Sequence, residues 1–249
     1  MFSGLTQKIE RLFLAGALVL VCAGSAKGDD FYKGMRGPTN WQLDFKVTDS
    51  INEKGTETLS NNLMLKYWDG DRHGKWGFIS VPYKFVDSPA GSDSGLGDIS
   101  VGFGPRGTIG NFHWMLYGSQ TFPTGKRTTG TERHDTKITG LATYLTDGKK
   151  FEIDGAFEYN STGKTNGRTT PDEFYAGLIF GGKIDDRVRV ASGFTDLIKE
   201  NGDYLLNWRV AGRYARSRET AYELVIDRSI GSRNIPKATS ITAQYRRNF

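Results

Sequence analysis

An alternation of apolar and polar residues, repeated in twelve segments between residues 41 and 249, constrains this chain more than any other feature. In the first segment apolar residues stand at positions 41, 43, 45 and 47, with polar or charged residues between them. A period of two is typical of a β-strand whose two faces meet different surroundings, so we predict an all-β fold. The segments begin at Trp41, Leu59, Ile79, Ile99, Phe112, Ile138, Phe151, Phe174, Val188, Tyr204, Thr220 and Ile241.

The lengths of the segments and their aromatic ends favour a membrane barrel. The segments are about ten residues long, which matches a tilted strand that crosses a bilayer. Aromatic residues stand at the ends of the apolar rows, where such barrels carry interfacial girdles. We predict a single transmembrane antiparallel up-and-down β-barrel of about 12 strands, with both termini periplasmic. A soluble lipocalin-like barrel of about eight strands is the alternative. The girdle residues are Trp41, Tyr67, Phe85, Phe112, Phe122, Tyr144, Phe151, Tyr159, Phe174, Tyr204 and Tyr214.

The connections between the segments also alternate in length. Most odd-numbered connections have about 10 to 14 residues and the even-numbered ones about 3 to 7, as expected for long outer loops and short periplasmic turns. The ninth connection, with about five residues, departs from this pattern.

The composition agrees with a barrel and excludes two other classes. Only 37% of the 249 residues are hydrophobic and the mean hydropathy is −0.48, which excludes a helical membrane protein. An aromatic content of 12% excludes a disordered chain. A barrel needs only a modest hydrophobic fraction, because alternate residues face lipid and a polar interior.

The N-terminal residues resemble an export signal. Lys8 and Arg11 precede an apolar run of twelve residues, which is too short to span a bilayer, and Ala26 completes a small-residue cleavage site. We expect residues 1–26 to be a cleaved signal peptide and residues 27–39 to be a periplasmic segment or a plug. Residues 40–249 would then form the barrel. A membrane anchor, and lipidation at Cys22, are the alternatives.

The C-terminus matches the pattern of barrel assembly signals. Phe249 is the last residue, and apolar residues that include Tyr245 alternate before it. Such an ending resembles the signal that the outer-membrane barrel assembly machinery reads, so Tyr245 and Phe249 are the candidate assembly residues.

The polar rows supply the candidate pore-lining residues. One interpretation is that they form cross-strand ion pairs filling a narrow lumen, with Arg209 and Arg213 beside Glu219 and Glu223. The other is that Arg187, Arg189, Arg209 and Arg213 form a basic stripe facing acidic residues across a pore. The candidates are Asp98, Tyr117, Lys137, Glu152, Asp154, Glu158, Arg187, Arg189, Arg209, Arg213, Glu219, Glu223 and Arg246, and the same rows also include Asp44 and Lys66.

Other chemistry finds little support in the sequence. Residues 102–107 match a dinucleotide-binding glycine pattern, but another strand follows instead of a helix, so we expect a turn there. A barrel hydrolase would need a serine beside a histidine, and Ser119 lies roughly 20 Å along the strand from His113. We expect no catalytic residues, no metal site, no cofactor and, despite a net charge of +5, no nucleic-acid partner.

Two short motifs resemble the outer-membrane family of meta-pathway phenol degradation proteins. The first is Gly95-Leu96-Gly97-Asp98, which opens a strand, and the second is Pro123-Thr124-Gly125, which follows the next strand. Residues 157–160 are similar too, whereas Phe122 stands where a leucine is expected. The resemblance implies a barrel for the passage of small hydrophobic or aromatic molecules.

Together these observations predict an outer-membrane channel of a Gram-negative bacterium for passive or facilitated uptake of small, hydrophobic or aromatic molecules. Its expected partners are outer-membrane lipids and lipopolysaccharide, the barrel assembly machinery and a small-molecule solute. A narrow barrel with a structural or adhesive role, and an outer-membrane lipid hydrolase, are the alternative functions.

Overall fold

The computed structural model describes residues 41–69, 73–146, 148, 150–165, 168–217 and 219–249. The expected signal peptide and the segment of residues 27–39 lie outside the described residues. Within these ranges, no helix has the length and apolar character needed to cross a membrane.

The described chain is a succession of antiparallel strands. Most are 11 to 16 residues long, and their outward residues alternate with inward ones because the side-chain period of a strand is two. The strands are β1 (Trp41–Asn52), β2 (Glu57–Trp68), β3 (His73–Ser88), β4 (Gly91–Leu96), β5 (Ile99–Ile109), β6 (Phe112–Phe122), β7 (Asp135–Leu145), β8 (Phe151–Ser161), β9 (Lys164–Thr165), β10 (Arg168–Thr169), β11 (Glu173–Lys183), β12 (Val188–Lys199), β13 (Tyr204–Ala215), β14 (Thr220–Arg233) and β15 (Ala238–Asn248).

These strands close into a barrel with twelve strand positions, which we call staves. Each stave pairs with its sequence neighbours, and β1 pairs with both β2 and β15, which closes the sheet. β4 and β5 together make one stave, since β3 pairs with β5 along its first half and with β4 along its second. β9 and β10 form a separate small hairpin within the connection between β8 and β11. The closed antiparallel barrel confirms the predicted fold.

Two local expectations were wrong. The connection after the third stave is not a long loop, because β3 and β4 continue as a hairpin arm as far as residues 89–90. Residues 102–107 do not form a turn either. They lie inside the continuous strand β5, and its glycines leave the strand without side chains at those positions.

The outer face of the barrel carries the apolar rows. The side chains of Leu63, Ile79, Phe103 and Leu178, for example, are 46%, 43%, 60% and 49% exposed, as expected for a surface that meets lipid. The predicted aromatic residues are exposed and form two girdles. One girdle, at the end where β1 begins, contains Trp41, Tyr67, Phe112, Tyr144, Phe151 and Tyr214, and the other contains Phe85, Phe122, Tyr159, Phe174 and Tyr204.

Candidate functional site

The inner face of the barrel, which we call the lumen, is built from the polar rows. Strand register places these residues opposite the exposed apolar rows, and several of them are buried despite their charge. Buried charges need partners. The arrangement of those partners therefore determines what the lumen offers to a solute.

One group of partners surrounds Asp44 on β1. Its carboxylate accepts hydrogen bonds from Lys66 Nζ at 2.5 Å and from Gln244 Nε2 at 2.8 Å. Arg246 Nε lies 3.4 Å from Asp44 Oδ1, and Gln42 donates a short hydrogen bond to the same oxygen. Asp44 thus joins β2 and β15 to β1, where the sheet closes. Arg246 was among the predicted pore-lining candidates, and the parity of the polar rows also placed Asp44 and Lys66 on the inner face.

The predicted arginines Arg189, Arg209 and Arg213 lie together on β12 and β13. Arg189 and Arg213 are register partners. Arg209 donates to Asp227 on β14 through Nε at 2.7 Å and through Nη2 at 3.0 Å. The two-pronged geometry fixes the guanidinium plane.

The other two arginines also meet acids. Arg213 Nε donates to Glu223 Oε2 at 2.7 Å, whereas Arg189 forms a short, buried ion pair with Glu152 on β8. The expected pairing of Arg213 with Glu223 is therefore present. Arg209 pairs with Asp227 and not with Glu219, because Asp227 is its register partner.

A hollow of about 180 Å³ lies beside this arginine cluster. Its lining includes the three arginines together with Glu152, Asp154 and Glu223. Small side chains, among them Ala191 and Ala211, lie between these charged groups. The hollow is thus water-accessible, and its charges are held by ion pairs at the wall.

A second set of predicted residues forms a network on β6, β7 and β8. Lys137 Nζ donates to Glu158 Oε1 at 2.8 Å, and Thr139 Oγ1 donates to Glu158 Oε2 at 3.1 Å. Tyr117 is the register partner of Thr139, which places it beside this network. Asp154, further along β8, accepts a short hydrogen bond from Thr143.

An aromatic cluster lines the opposite wall of the lumen. Trp76 stacks at a tilt against Tyr117, with ring centroids 4.6 Å apart, and Phe78 meets Tyr117 edge-on at 5.8 Å. Arg106 lies over the ring of Trp68 at 5.7 Å, within cation–π range. This cluster, which we call the aromatic wall, lies opposite the arginine cluster, and the charged groups around Asp44 and Glu158 lie between the two.

Of this cluster, only Tyr117 was among the predicted pore-lining residues. The missed signal was that Trp68, Trp76 and Phe78 break the parity of the apolar rows in β2 and β3. The glycines of β5 make room for the cluster. A Cβ at Gly102 would lie 2.2 Å from Phe78 Cε1, and one at Gly104 would lie 2.7 Å from Tyr117 Cβ.

Three predicted residues lie outside these clusters. Arg187 is exposed in the turn of residues 184–187, where its backbone N–H donates to Asp185. Glu219 lies in the turn before β14, and its carbonyl accepts from the N–H of Asn248. Asp98 is buried between β4 and β5 and bonds to the loop that follows β6.

The residues weighed for hydrolysis are not brought together. His113 is the register partner of Thr108 and Thr143, and its Nδ1 lies 2.9 Å from Thr108 Oγ1. Ser119 has Gly102 and Lys137 as its register partners. Within the part of the chain that the structure describes, no group of three metal-ligating side chains occurs.

The comparisons with known proteins agree with this architecture. Residues 37–245 match the family model described as "Putative MetA-pathway of phenol degradation". None of the curated proteins matches the chain.

Solved structures share the fold at low sequence identity. The COG4313 outer membrane channel from Pseudomonas putida F1 is 15% identical with a TM-score of 0.73, covering 90% of this chain and 100% of that one. The NanC porin is 10% identical with a TM-score of 0.57, covering 83% of this chain and 100% of that one. The CymD monoaromatic hydrocarbon channel is 7% identical with a TM-score of 0.55, covering 86% and 90% respectively.

Proposed function

The chain belongs to this phenol-degradation family, and from that premise we propose that it is an outer-membrane channel for small hydrophobic or aromatic molecules. Solutes would move down their own concentration gradient, with no cofactor and no coupled energy source. The resemblance noted on residues 95–98 and 123–125 lies within the matched range, and membership of the family confirms it.

The observation that carries the proposal is the hollow beside the arginine cluster. A barrel whose interior is filled by side chains has no path for a solute. Here small residues such as Ala191 and Ala211 leave space, and ion pairs hold Arg209 and Arg213 against the wall. Such fixed polar groups around a water-accessible space are what a selective pore requires.

The class of solute is inferred from the family and from one structural neighbour. The family description names phenol degradation, and the CymD channel is described as one for monoaromatic hydrocarbons. The aromatic wall, with Phe78 and Tyr117 half-buried on the lumen side, is compatible with planar apolar solutes. A channel, and not an enzyme, is the role that these features favour.

The proposed orientation is based on the two ends of the barrel. The N–H of Phe249 donates to the carbonyl of Trp41 at 2.9 Å, so the first and last strands meet at one end. The longer connections, which contain residues 123–134 and the described residues 162–165 and 168–172, are at the opposite end. We propose that the end with Trp41 and Phe249 is periplasmic, since outer-membrane barrels have short periplasmic turns and longer outer loops.

The remaining expectations complete the proposal. Residues 1–26 would direct export, and residues 27–39 would form a periplasmic segment or a plug. Tyr245 and Phe249 would be read during assembly. The two girdles would lie in the headgroup layers of a membrane of lipid and lipopolysaccharide.

Single-channel recording tests the proposal directly. Purified protein, whose folded state is verified by a heat-modifiable band on an unboiled gel, is inserted into planar bilayers, and uptake of phenol into liposomes is measured in parallel. Stable conductance together with faster phenol entry than in protein-free liposomes is expected. A folded protein that neither conducts nor speeds phenol entry would favour a structural or adhesive barrel.

Enzyme assays test the second alternative. Ester and phospholipid hydrolysis are measured with the same preparation and with His113→Ala. Hydrolysis that disappears in this variant would contradict the channel proposal, whereas an equal background rate in both proteins is expected.

A further inference from the structure

The loop of residues 123–134, which we call the mouth loop, folds onto the inner face of the β3–β4 arm. Pro82 and Lys84 project from this face, because they share the parity of the lumen residues of β3. A Cβ at Gly97 would meet Pro82 Cγ at 2.9 Å and the carbonyl oxygen of Thr129 at 3.2 Å. The mouth loop therefore lies inside the outline of the barrel, at the end away from Phe249.

One buried carboxylate holds the loop in this position. Asp98 is 8% exposed and accepts three hydrogen bonds from the loop. The N–H of Gly125 donates to Oδ1 at 3.0 Å, and the N–H and hydroxyl of Thr131 donate to Oδ2 at 2.6 Å and 2.7 Å. Because an ionised acceptor roughly doubles the strength of each bond, Asp98 is a strong anchor for both ends of this segment.

Threonines and glycines complete the attachment. Thr124 Oγ1 donates to the carbonyl of Gly97 at 3.0 Å, and Thr129, 1% exposed, donates from Oγ1 to the carbonyl of Leu96 at 2.7 Å. A Cβ at Gly130 would lie 2.4 Å from Asp98 Oδ1, so this close approach requires glycine. The loop is thus bonded along its length to Leu96 at the end of β4 and to Gly97 and Asp98, which precede β5.

We propose that the mouth loop is the size-selective constriction of the channel and that Asp98 is the residue that positions it. This inference rests on the proposed channel function and adds the place where solutes are sorted by size. The loop occupies part of the opening, and Asp98 holds it against the arm. Release of the loop widens the mouth while the barrel wall stays intact.

The test compares the wild type with Asp98→Ala in planar bilayers, using polyethylene glycols of graded mass as size probes. Asp98→Ala is expected to admit larger polymers than the wild type and to raise single-channel conductance about twofold, since pore diameter governs passage. Asp203→Ala is the matched control. Asp203 lies half-buried in a turn at the same end of the barrel. Its carboxylate accepts hydrogen bonds from Asn201 and Asn234, and not from the mouth loop.

A second variant guards against a folding defect in Asp98→Ala. Replacement of residues 125–130 by a short glycine-serine link keeps Asp98 and removes the constriction, and the folded state of each protein is verified by its heat-modifiable band.

Equal polymer cut-offs in the wild type and the shortened loop would overturn the inference and leave the channel function standing. If no variant and no wild type conducts, the channel function fails and the inference falls with it. Conductance in the variants alone would show that the loop closes the mouth completely.

Discussion

Glu152 on β8 and Arg189 on β12 form a buried ion pair that passes over an intervening strand. Their side chains are 4% and 5% exposed, and β11 separates the two strands. The contact is possible because Gly181 of β11 has no side chain: a Cβ there would lie 2.4 Å from Glu152 Oε1 and 2.7 Å from its Cγ. The pair ties three staves together beside the hollow of the lumen.

Substitution of Gly181 should therefore weaken the barrel. In Gly181→Ala the added methyl group displaces Glu152 from Arg189, and a loss of about 1–3 kcal/mol in the free energy of unfolding is expected for such overpacking. Urea unfolding in detergent micelles, followed by tryptophan fluorescence, measures it. Gly155→Ala on β8 is the control, because a Cβ at Gly155 meets nothing within 4 Å. Equal midpoints for the two variants would contradict this account.

Removal of one charge of the Glu152–Arg189 pair should lower the free energy of unfolding more than removal of both charges. Arg189→Met leaves the Glu152 carboxylate buried without this partner, which should lower the free energy of unfolding by about 3–5 kcal/mol. The double variant Glu152→Gln with Arg189→Met removes both charges and should recover part of that loss. A double-mutant cycle of the free energies of unfolding, measured by urea titration, gives the coupling energy between the two side chains. Strictly additive effects would mean that the pair is not coupled.

The arginine cluster should set the charge preference of the pore. Arg213→Gln removes a positive charge beside Glu223 at the hollow, so the ratio of cation to anion permeability is expected to rise about twofold. The reversal potential in a potassium chloride gradient reports this ratio. Arg228→Gln is the control, because Arg228 is exposed on the outer face of β14. A shift of the same size in both variants would show that the arginine cluster does not set the charge preference of the pore.

Acid should loosen the attachment of Thr162, which follows β8, to Asp172, which precedes β11. Asp172 accepts from Tyr159 OH and, at 2.9 Å, from the N–H of Thr162, and these hydrogen bonds hold the pKa of the Asp172 carboxyl below its usual range. A carboxyl with a lowered pKa stabilises the fold at neutral pH, and this contribution is lost as the pH falls through the lowered value. Amide exchange at Thr162 should therefore show protection down to pH values at which an ordinary aspartate is already protonated. In Asp172→Asn this pH-dependent protection should be absent.

The C-terminal phenylalanine should matter for assembly more than for stability. Phe249 is 41% exposed, so Phe249→Ala removes little packing, yet it alters the proposed signal. We expect less folded barrel in outer membranes and an unchanged urea midpoint for protein refolded in detergent. Phe174→Ala is the matched control, since Phe174 is 42% exposed on the same outer face. Equal membrane yields for the two variants would contradict the role of Phe249 in assembly.

Strand number and strand faces could be predicted from the sequence. The apolar rows of the twelve segments point outward, and residues such as Trp41 and Tyr159 lie in girdles. A period of two is a local property of extended backbone, so neighbouring residues suffice to reveal it.

The contacts inside the barrel were decided only by the tertiary structure. Arg209 meets Asp227 and not Glu219, Glu152 reaches Arg189 two staves away, and Asp98 binds the mouth loop. Such partners depend on register between strands, on the reach of a side chain and on the absence of one at glycines such as Gly181. These quantities arise between segments distant in the chain, so a local pattern can say which side chains face inward but not which of them meet.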